Sequence, residues 1–158
     1  MPAIDSLIER LRLLPHPEGG WYRESYRAAA PPGTRAASTL IYYLLPQGAV
    51  SRLHRIDADE GWHLYLGGPL EIHELDDRDV DAAPRVTILG SDLAAGHHPQ
   101  HVVPAGCWFG AAVAPGAPYA LVGCSVAPAF EFGGFELGDR RMLLERFPRA
   151  RDVILRLT

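Results

Sequence analysis

Short runs of β-branched and aromatic residues, separated by turn-forming residues, constrain the fold of this chain more than any other feature. The 158 residues include 16 Gly and 14 Pro, which leaves little room for long helices and favours short strands joined by tight turns. Eight segments have the composition of strands: WYRESYR (21–27), TLIYYLL (39–45), GWHLYL (61–66), LEIHEL (70–75), RVTIL (85–89), HVVPAG (101–106), CWFGAAV (107–113) and YALVGCSV (119–126). The pattern predicts a mainly all-β protein, an antiparallel sandwich or barrel.

Short helices are predicted at both ends of the chain. Ser6 and Glu9 form a capping-box pattern ahead of an apolar face. Near the C-terminus, Asp139 is placed to cap a helix over RRMLLERF, and ARDVILRL predicts a last helical segment. Since no linker or repeat interrupts the chain, we expect a single domain over residues 1–158.

Composition excludes several classes of function. A net charge of −4 and a pI near 5.9 give no general attraction to nucleic acid or to an anionic membrane. No apolar run is long enough to span a bilayer, and the first residues lack the pattern of a signal peptide. Two cysteines, Cys107 and Cys124, are too few for a disulfide framework. These features predict a cytoplasmic protein with a small-molecule ligand, no nucleic-acid partner and no membrane.

One stretch, GAVSRLHRIDADEGWHLYLGG (48–68), carries the residues most typical of a functional site. Gly48, His54, Glu60 and Gly67 have the spacing of G-x5-H-x-H-x3-E-x6-G, with Ile56 at the second histidine position. This resembles the first motif of the cupin superfamily.

The resemblance extends over most of the chain. Pro104 to Gly106 supply the turn of the second cupin motif, but Phe109 stands at its histidine position and Val113 at its asparagine position. The segments that are similar to the fifth cupin subfamily, in order, are PHPEGGWYRESYR, IYYLL, HRIDADEGWHLYLGGPLEIHEL, PQHVVPAGCW and VGCSVAPAFEFGGFEL. The resemblance implies a double-stranded β-helix, or jelly-roll barrel, that is commonly a homodimer and similar in shape to sugar-nucleotide epimerases. It implies no settled reaction, since a shared barrel does not fix chemistry.

The spacing leaves a depleted set of metal ligands. Only His54 and Glu60 stand at ligand positions, whereas catalytic zinc sites typically keep three protein ligands. His63 follows Glu60 by three residues, and in a regular strand this spacing points the two side chains to opposite faces. We therefore predict no cofactor; a divalent metal, if one were bound, would use His54 and Glu60.

The same residues suit metal-independent chemistry. His54 beside Glu60 would form a carboxylate–imidazole pair able to act as a general base, with Tyr43 or Tyr42 as the opposing acid or hydrogen-bond donor. This predicts an isomerase or epimerase-like enzyme acting on a small polar metabolite or sugar derivative. Two alternatives stay open: a non-catalytic binding or sensing cupin, and a metal-dependent dioxygenase or isomerase with an incomplete ligand set.

Other residues are candidates for lining the pocket. The predicted ligand-binding residues are Tyr42, Arg55, Trp62, His63, Gln100, Trp108 and Phe109. Arg23 and Arg55 suit binding of a carboxylate or phosphate, or salt bridges with Glu24 and Asp59. The segment Glu18-Gly19-Gly20 fits the pocket rim, a dimer strand or an ordinary turn.

Overall fold

The computed structural model describes residues 2–158 and consists mainly of strands. The strands are β1 Leu14–Pro15, β2 Trp21–Arg27, β3 Thr39–Pro46, β4 Val50–Ile56, β5 Asp59–Gly67, β6 Leu70–Leu75, β7 Arg85–Leu89, β8 Gln100–Val103, β9 Trp108–Val113, β10 Tyr119–Ala127 and β11 Phe135–Leu137. The α-helices are α1 Ile4–Leu11, α2 Arg140–Arg146 and α3 Arg151–Arg156, and short 3-10 helices cover Leu93–Ala95, Phe132–Gly134 and Pro148–Ala150. No helix of residues 2–158 is both long and apolar enough to cross a membrane.

Two antiparallel sheets face each other. One sheet has the strand order β1-β2-β3-β10-β5-β8, and the other has the order β11-β4-β9-β6-β7. From β3 to β6 the chain passes from one sheet to the other at every strand, which produces the predicted jelly-roll arrangement.

The core lies between the inward faces of the two sheets. Its largest fully buried members include Tyr43, Trp62, Ile72 and Phe109. Burial of each such side chain stabilises the fold by about 1.5–3 kcal/mol. Strand β10 runs through the middle of its sheet between β3 and β5, so nearly all of its side chains are buried.

The helices cover the outer faces of the sheets. On the five-stranded sheet, Leu53 and Trp108 pack against Leu143, Phe147 and Ile154 of the C-terminal segment. On the six-stranded sheet, Leu7 of α1 packs with Leu44, Tyr119 and Leu121.

Each predicted strand overlaps an observed one, and the bounds of β6 and β7 coincide with the predicted segments. The predicted strand over 101–106 ends early, because β8 stops at Val103. Asp139 caps α2 as predicted, since its Oδ1 accepts a hydrogen bond from the Met142 N–H at 2.8 Å. The capping role of Ser6 was wrong: the helix begins at Ile4 with Ala3 as its N-cap, so Ser6 lies inside the helix. The composition also missed three strands, the short β1 and β11 and the longer β4, which carries His54.

Candidate active site

A cavity of about 480 Å³ opens between the two sheets. This volume falls within the range of about 300–1,000 Å³ that is usual for small-molecule sites. Its floor carries the polar side chains of His16, Glu18, His54 and Glu60, and its walls include Ile41. The cavity is thus a polar site at the end of an otherwise apolar core.

A backbone strap between β1 and β2 brings two of these side chains into the barrel. The carbonyl of Glu18 accepts a hydrogen bond from the Arg52 N–H at 2.8 Å, and the Tyr43 hydroxyl donates to the Gly19 carbonyl at 2.8 Å. At Gly19, φ is +112° and a Cβ atom would lie 2.1 Å from the Val50 carbonyl oxygen. Only glycine fits there, because the strap passes against β4.

Glu18 is hydrogen-bonded through both carboxyl oxygens. Its Oε1 accepts from the Ser51 hydroxyl at 2.9 Å, and its Oε2 lies 3.0 Å from His54 Nε2. His54 Nδ1 lies 2.7 Å from the Arg52 carbonyl, which can only accept, so this nitrogen carries a proton. A second proton therefore lies between Nε2 and Oε2 of Glu18. Without it, the lone pair of Nε2 would face a lone pair of the carboxylate oxygen.

Burial decides where that shared proton resides. Burial lowers the pKa of His54 to about 4, against a smaller opposing effect of its hydrogen bond to Arg52. Burial also raises the pKa of Glu18. Both effects favour the uncharged form of the pair, with the proton on Glu18 and a neutral imidazole.

Glu60 is the second buried carboxyl of the floor. Strand β5 points it inward from a position where it is 7% exposed, and no nitrogen or oxygen atom of residues 2–158 forms a hydrogen bond with the carboxyl. Burial, aided by the neighbouring Glu18, raises the pKa of Glu60 to about 8, while the adjacent Cys124 thiol opposes this slightly. Glu60 is therefore protonated near neutral pH and remains available to a ligand.

His16 completes the floor. Its Nδ1 accepts a hydrogen bond from the Glu18 N–H at 3.2 Å, which leaves the proton of the neutral ring on Nε2. Burial lowers the pKa of His16. The ring packs edge-on against Tyr22 and Tyr43, with centroids 4.5 and 5.9 Å away. The neutral ring is thus held as a hydrogen-bond donor.

Three phenylalanine rings line the cavity mouth. Phe130, Phe132 and Phe135 lie with centroids 5.0 to 6.3 Å apart in edge-on arrangements. The segment that carries them is fixed by two arginines: Arg27 donates to the Phe130 carbonyl at 2.9 Å, and Arg35 donates to the Ala129 carbonyl at 2.7 Å. The entrance is thus apolar and aromatic.

Of the residues predicted for the site, His54 and Glu60 line the cavity. Phe109 packs against the His54 ring with a centroid distance of 4.2 Å. Tyr43 and Trp62 lie behind them in the core, with ring centroids 5.8 Å apart. The Tyr43 proton is held by Gly19, and burial raises the pKa of Tyr43 well above its usual 10, so its geometry supports a structural rather than a catalytic role.

The other predicted ligand-binding residues lie outside this cavity. Tyr42, His63 and Gln100 belong to the outer face of the six-stranded sheet, where His63 Nε2 lies 2.9 Å from Ser125 Oγ. Strand alternation thus separates His63 from Glu60, as the spacing predicts.

Arg55 and Trp108 lie together on the outside of the five-stranded sheet, with the guanidinium carbon 4.6 Å from the Trp108 ring centroid. Arg55 pairs with Glu136 and Asp77, rather than with Asp59 as expected. The alternative offered for Arg23, a salt bridge with Glu24, does not form, since Glu24 binds Arg27. Arg55 thus lies outside the cavity, whereas Arg23 is among the residues that line it.

The carboxylate partner of His54 is Glu18 and not Glu60, which corrects the predicted pair. Sequence reasoning missed His16, and it proposed the segment Glu18-Gly19-Gly20 for the pocket rim without identifying Glu18 as the partner of His54. The available signal was the segment PHPEGGWYRESYR, whose paired glycines indicated close backbone approach but not which side chain enters the barrel. The two residues lie far from the motif in sequence and reach it only through the fold.

The residues at the ligand positions of the cupin motifs do not suit a bound divalent metal. Ile56 and Phe109, at two of the usual ligand positions, have no lone pair to donate. Both ring nitrogens of His54 face hydrogen-bond partners. Among residues 2–158, no group of three or more His, Cys, Asp or Glu side chains is arranged to hold a metal ion.

Comparison with known proteins places these features in a family. The sequence profile described as Cupin superfamily (DUF985) matches residues 5–138. A Shewanella oneidensis protein with an X-ray structure is 40% identical with a TM-score of 0.92, over 100% of this chain and 98% of that chain. A hypothetical protein from Leishmania major is 33% identical with a TM-score of 0.91, over 99% of each chain.

A more distant likeness concerns the fold alone. Oxalate decarboxylase from Bacillus subtilis is 14% identical with a TM-score of 0.59, over 91% of this chain and 37% of that chain. No curated protein sequence matches the chain.

Proposed function

This protein belongs to the Cupin_5 family of the cupin superfamily, and from the cavity of its barrel we propose that it is a metal-independent enzyme that moves a proton on a small polar molecule. The observation that carries the proposal is Glu60, a buried carboxyl that lines the cavity and has a pKa of about 8. A group with such a pKa both holds a proton and gives it up near physiological pH, which general acid–base catalysis requires.

The proposed reaction is proton transfer at a carbon next to a carbonyl, as in an isomerase or epimerase. Ionised Glu60 removes the proton and returns it to the same or a neighbouring carbon. The negative charge that develops on the carbonyl oxygen is stabilised by a neutral donor, a role that suits the Nε2–H of His16. The Glu18–His54 pair holds the strap, and with it His16, in position.

A second candidate, a ligand-binding cupin without turnover, is favoured by two observations. Both oxygens of Glu18 are already engaged, and Glu60 holds its proton near neutral pH. The floor then offers a set of neutral hydrogen-bonding groups, which is sufficient for binding.

The test is hydrogen exchange in D2O with a panel of uncharged aldoses and ketoses. Proton NMR follows loss of the C–H signal next to the carbonyl. For the enzyme we expect exchange in the wild type that rises with pH toward a plateau above about 8, and a loss of about 100-fold or more in Glu60→Gln. The matched control is Glu145→Gln, an exposed carboxyl on α2, which should exchange like the wild type.

Equal rates of hydrogen exchange in the wild type and Glu60→Gln would show that Glu60 is not the catalytic base and would refute the proposal. Saturable binding without any exchange would favour the second candidate. The homodimer and the cytoplasmic location stay predictions.

A further inference from the structure

Two arginines line the cavity, and only one of them has a carboxylate partner. Arg27 donates hydrogen bonds to both carboxylate oxygens of Glu24, at 3.0 and 2.8 Å, and a third to the Phe130 carbonyl. Arg23 also lines the cavity, but its guanidinium forms no ion pair and no hydrogen bond within residues 2–158. Since the chain contains no lysine, Arg23 is the one guanidinium or ammonium group of the lining that the described residues leave without a carboxylate.

Arg23 lies where the cavity reaches the edge of its sheet. Strand β1 pairs with β2 only at Trp21 and Tyr22, so β2 has no neighbour on that side from Arg23 onward. The guanidinium carbon lies 5.4 Å from the ring centroid of Tyr42, its cross-strand neighbour, so the side chain stands between the outer face of the sheet and the cavity.

The charge of Arg23 is partly removed from water without compensation by the protein. The residue is half-buried, and its Nε is buried with no hydrogen-bond partner. A buried donor that lacks a partner is costly, and more so when the group is charged. A bound anion that contacts the accessible part of the guanidinium would supply the missing opposite charge.

The cavity floor does not oppose a bound anion. Burial raises the pKa of Glu18, and it raises the pKa of Glu60 to about 8, so both carboxyls hold their protons at pH 7. A protonated carboxyl offers one O–H donor and remaining acceptor capacity, which suits hydroxyl and carbonyl groups. The floor therefore favours an uncharged part of a ligand, whereas Arg23 favours a negative part.

The charge of the anion is limited by the rest of the lining. The exposed Glu131 forms no ion pair within residues 2–158, and its charge contributes to raising the pKa of Arg27 and of Arg35. A single guanidinium balances one negative charge, and a planar carboxylate accepts two parallel hydrogen bonds from it. A phosphate monoester carries about 1.5 to 2 negative charges near pH 7, and the excess would remain unbalanced in a cavity that already includes Glu131.

We infer that the ligand of the cavity carries a carboxylate, which pairs with Arg23 while the hydroxyl and carbonyl groups of the same molecule meet the uncharged floor. The inference rests on the proposed function, because it concerns the ligand of the same cavity. It also gives the ligand a direction: the carboxylate lies at the edge of β2, and the carbon that exchanges its proton lies toward Glu60.

The experiment compares ligands that differ in charge. Glucose, galactose and mannose are each titrated beside the corresponding uronate and 6-phosphate, with saturation-transfer NMR on the full chain at pH 7. We expect at least one uronate to bind at least about tenfold more tightly than its parent sugar, a difference of about 1.4 kcal/mol, and more tightly than the 6-phosphate. No binding by any uronate, equal affinity of every uronate and its parent, or tighter binding of the 6-phosphates overturns the inference.

Replacement of Arg23 locates the contact. Arg23→Gln should weaken binding of the uronate about tenfold and leave the parent sugar unchanged, because the floor is intact. Arg23→Lys keeps the charge without the paired donors of the guanidinium, so it should retain only part of the preference. Arg141→Gln removes an equal charge from an exposed position on α2 and should change neither affinity. An unchanged preference in Arg23→Gln, or an equal loss for the uronate and its parent, would refute the assignment to Arg23.

The two proposals fail separately. Uronate binding that depends on Arg23, without hydrogen exchange on any sugar or uronate, would remove catalysis and keep the ligand class. Exchange on a neutral sugar that depends on Glu60, together with equal affinity for its uronate, would keep the enzyme and refute the carboxylate.

Discussion

Replacement of Glu60 by glutamine tests the state of the buried carboxyl without a ligand. The pKa of Glu60 is about 8 in the folded protein, against an ordinary value of 4.5. Between these two values the unfolded chain has released its proton while the folded protein retains it. The stability that Glu60 contributes is therefore fully present below pH 4.5 and is lost as the pH rises toward 8. Each pH unit within the window costs about 1.4 kcal/mol.

Integrated from pH 4.5 to pH 8, this linkage lowers the free energy of unfolding of the wild type by about 4 kcal/mol. Glutamine keeps the shape of the side chain and does not titrate. We therefore expect the Glu60→Gln variant to gain about 4 kcal/mol relative to the wild type across the same pH range. The other titrating groups are present in both proteins, so their contributions largely cancel in the difference.

The assay is urea unfolding at half-unit pH steps, followed by fluorescence, with the midpoint and slope fitted at each pH. Glu145→Gln is the control, since this exposed carboxyl on α2 should give a pH profile parallel to that of the wild type. Parallel profiles for Glu60→Gln as well would refute the reasoning, because they would mean that Glu60 titrates like a solvated carboxyl.

Two further changes test the floor and the strap. The pKa of His54 is lowered to about 4, so the contribution of His54 to stability should fall by about 3 kcal/mol as the pH drops from 6.5 to 4. Glu60 acts in the opposite direction over this range, so the contribution is measured as the difference in unfolding free energy between His54→Gln and the wild type in acid urea titrations. This difference should shift by about 3 kcal/mol in favour of the variant, and a difference that stays constant with pH would refute the assignment to His54. Gly19→Ala should lower the unfolding free energy by at least about 2 kcal/mol, because its Cβ would lie 2.1 Å from the Val50 carbonyl. Gly33→Ala is the matched control, with φ of +77° but no atom within 4 Å of the added Cβ. Equal losses in the two alanine variants would show that backbone strain alone, and not the strap contact, is responsible.

Most strands of the two sheets could be predicted because strands rich in apolar, β-branched and aromatic residues are recognisable from composition. LEIHEL and RVTIL pair as β6 and β7 with the expected bounds. Strand β4 could not be predicted in this way, since Val50–Ile56 carries Ser, two Arg and His among its apolar residues. Two of its polar residues, Ser51 and His54, are buried and contact Glu18, so the pattern of a half-buried strand is lost at the candidate site.

A bulge explains how β4 builds the site. The pairing register of β4 with β9 shifts between Ser51 and His54. Residues three apart normally point to opposite faces of a strand, but here both side chains contact the Glu18 carboxyl. The same spacing between Glu60 and His63 occurs without a bulge and separates the two residues. Spacing alone cannot distinguish these cases, because a bulge depends on the partner strand.

The partner of His54 has consequences for the chemistry of Glu60. One imidazole can share a proton with only one of the two buried carboxyls, and the strap gives that position to Glu18. Glu60 is then left to keep its own proton, because burial makes the ionised form costly and no nitrogen or oxygen partner compensates it. A His54–Glu60 pair, as the motif spacing predicted, would have satisfied both groups internally. By occupying His54, Glu18 leaves Glu60 as the one buried carboxyl of the floor without a nitrogen or oxygen partner among residues 2–158.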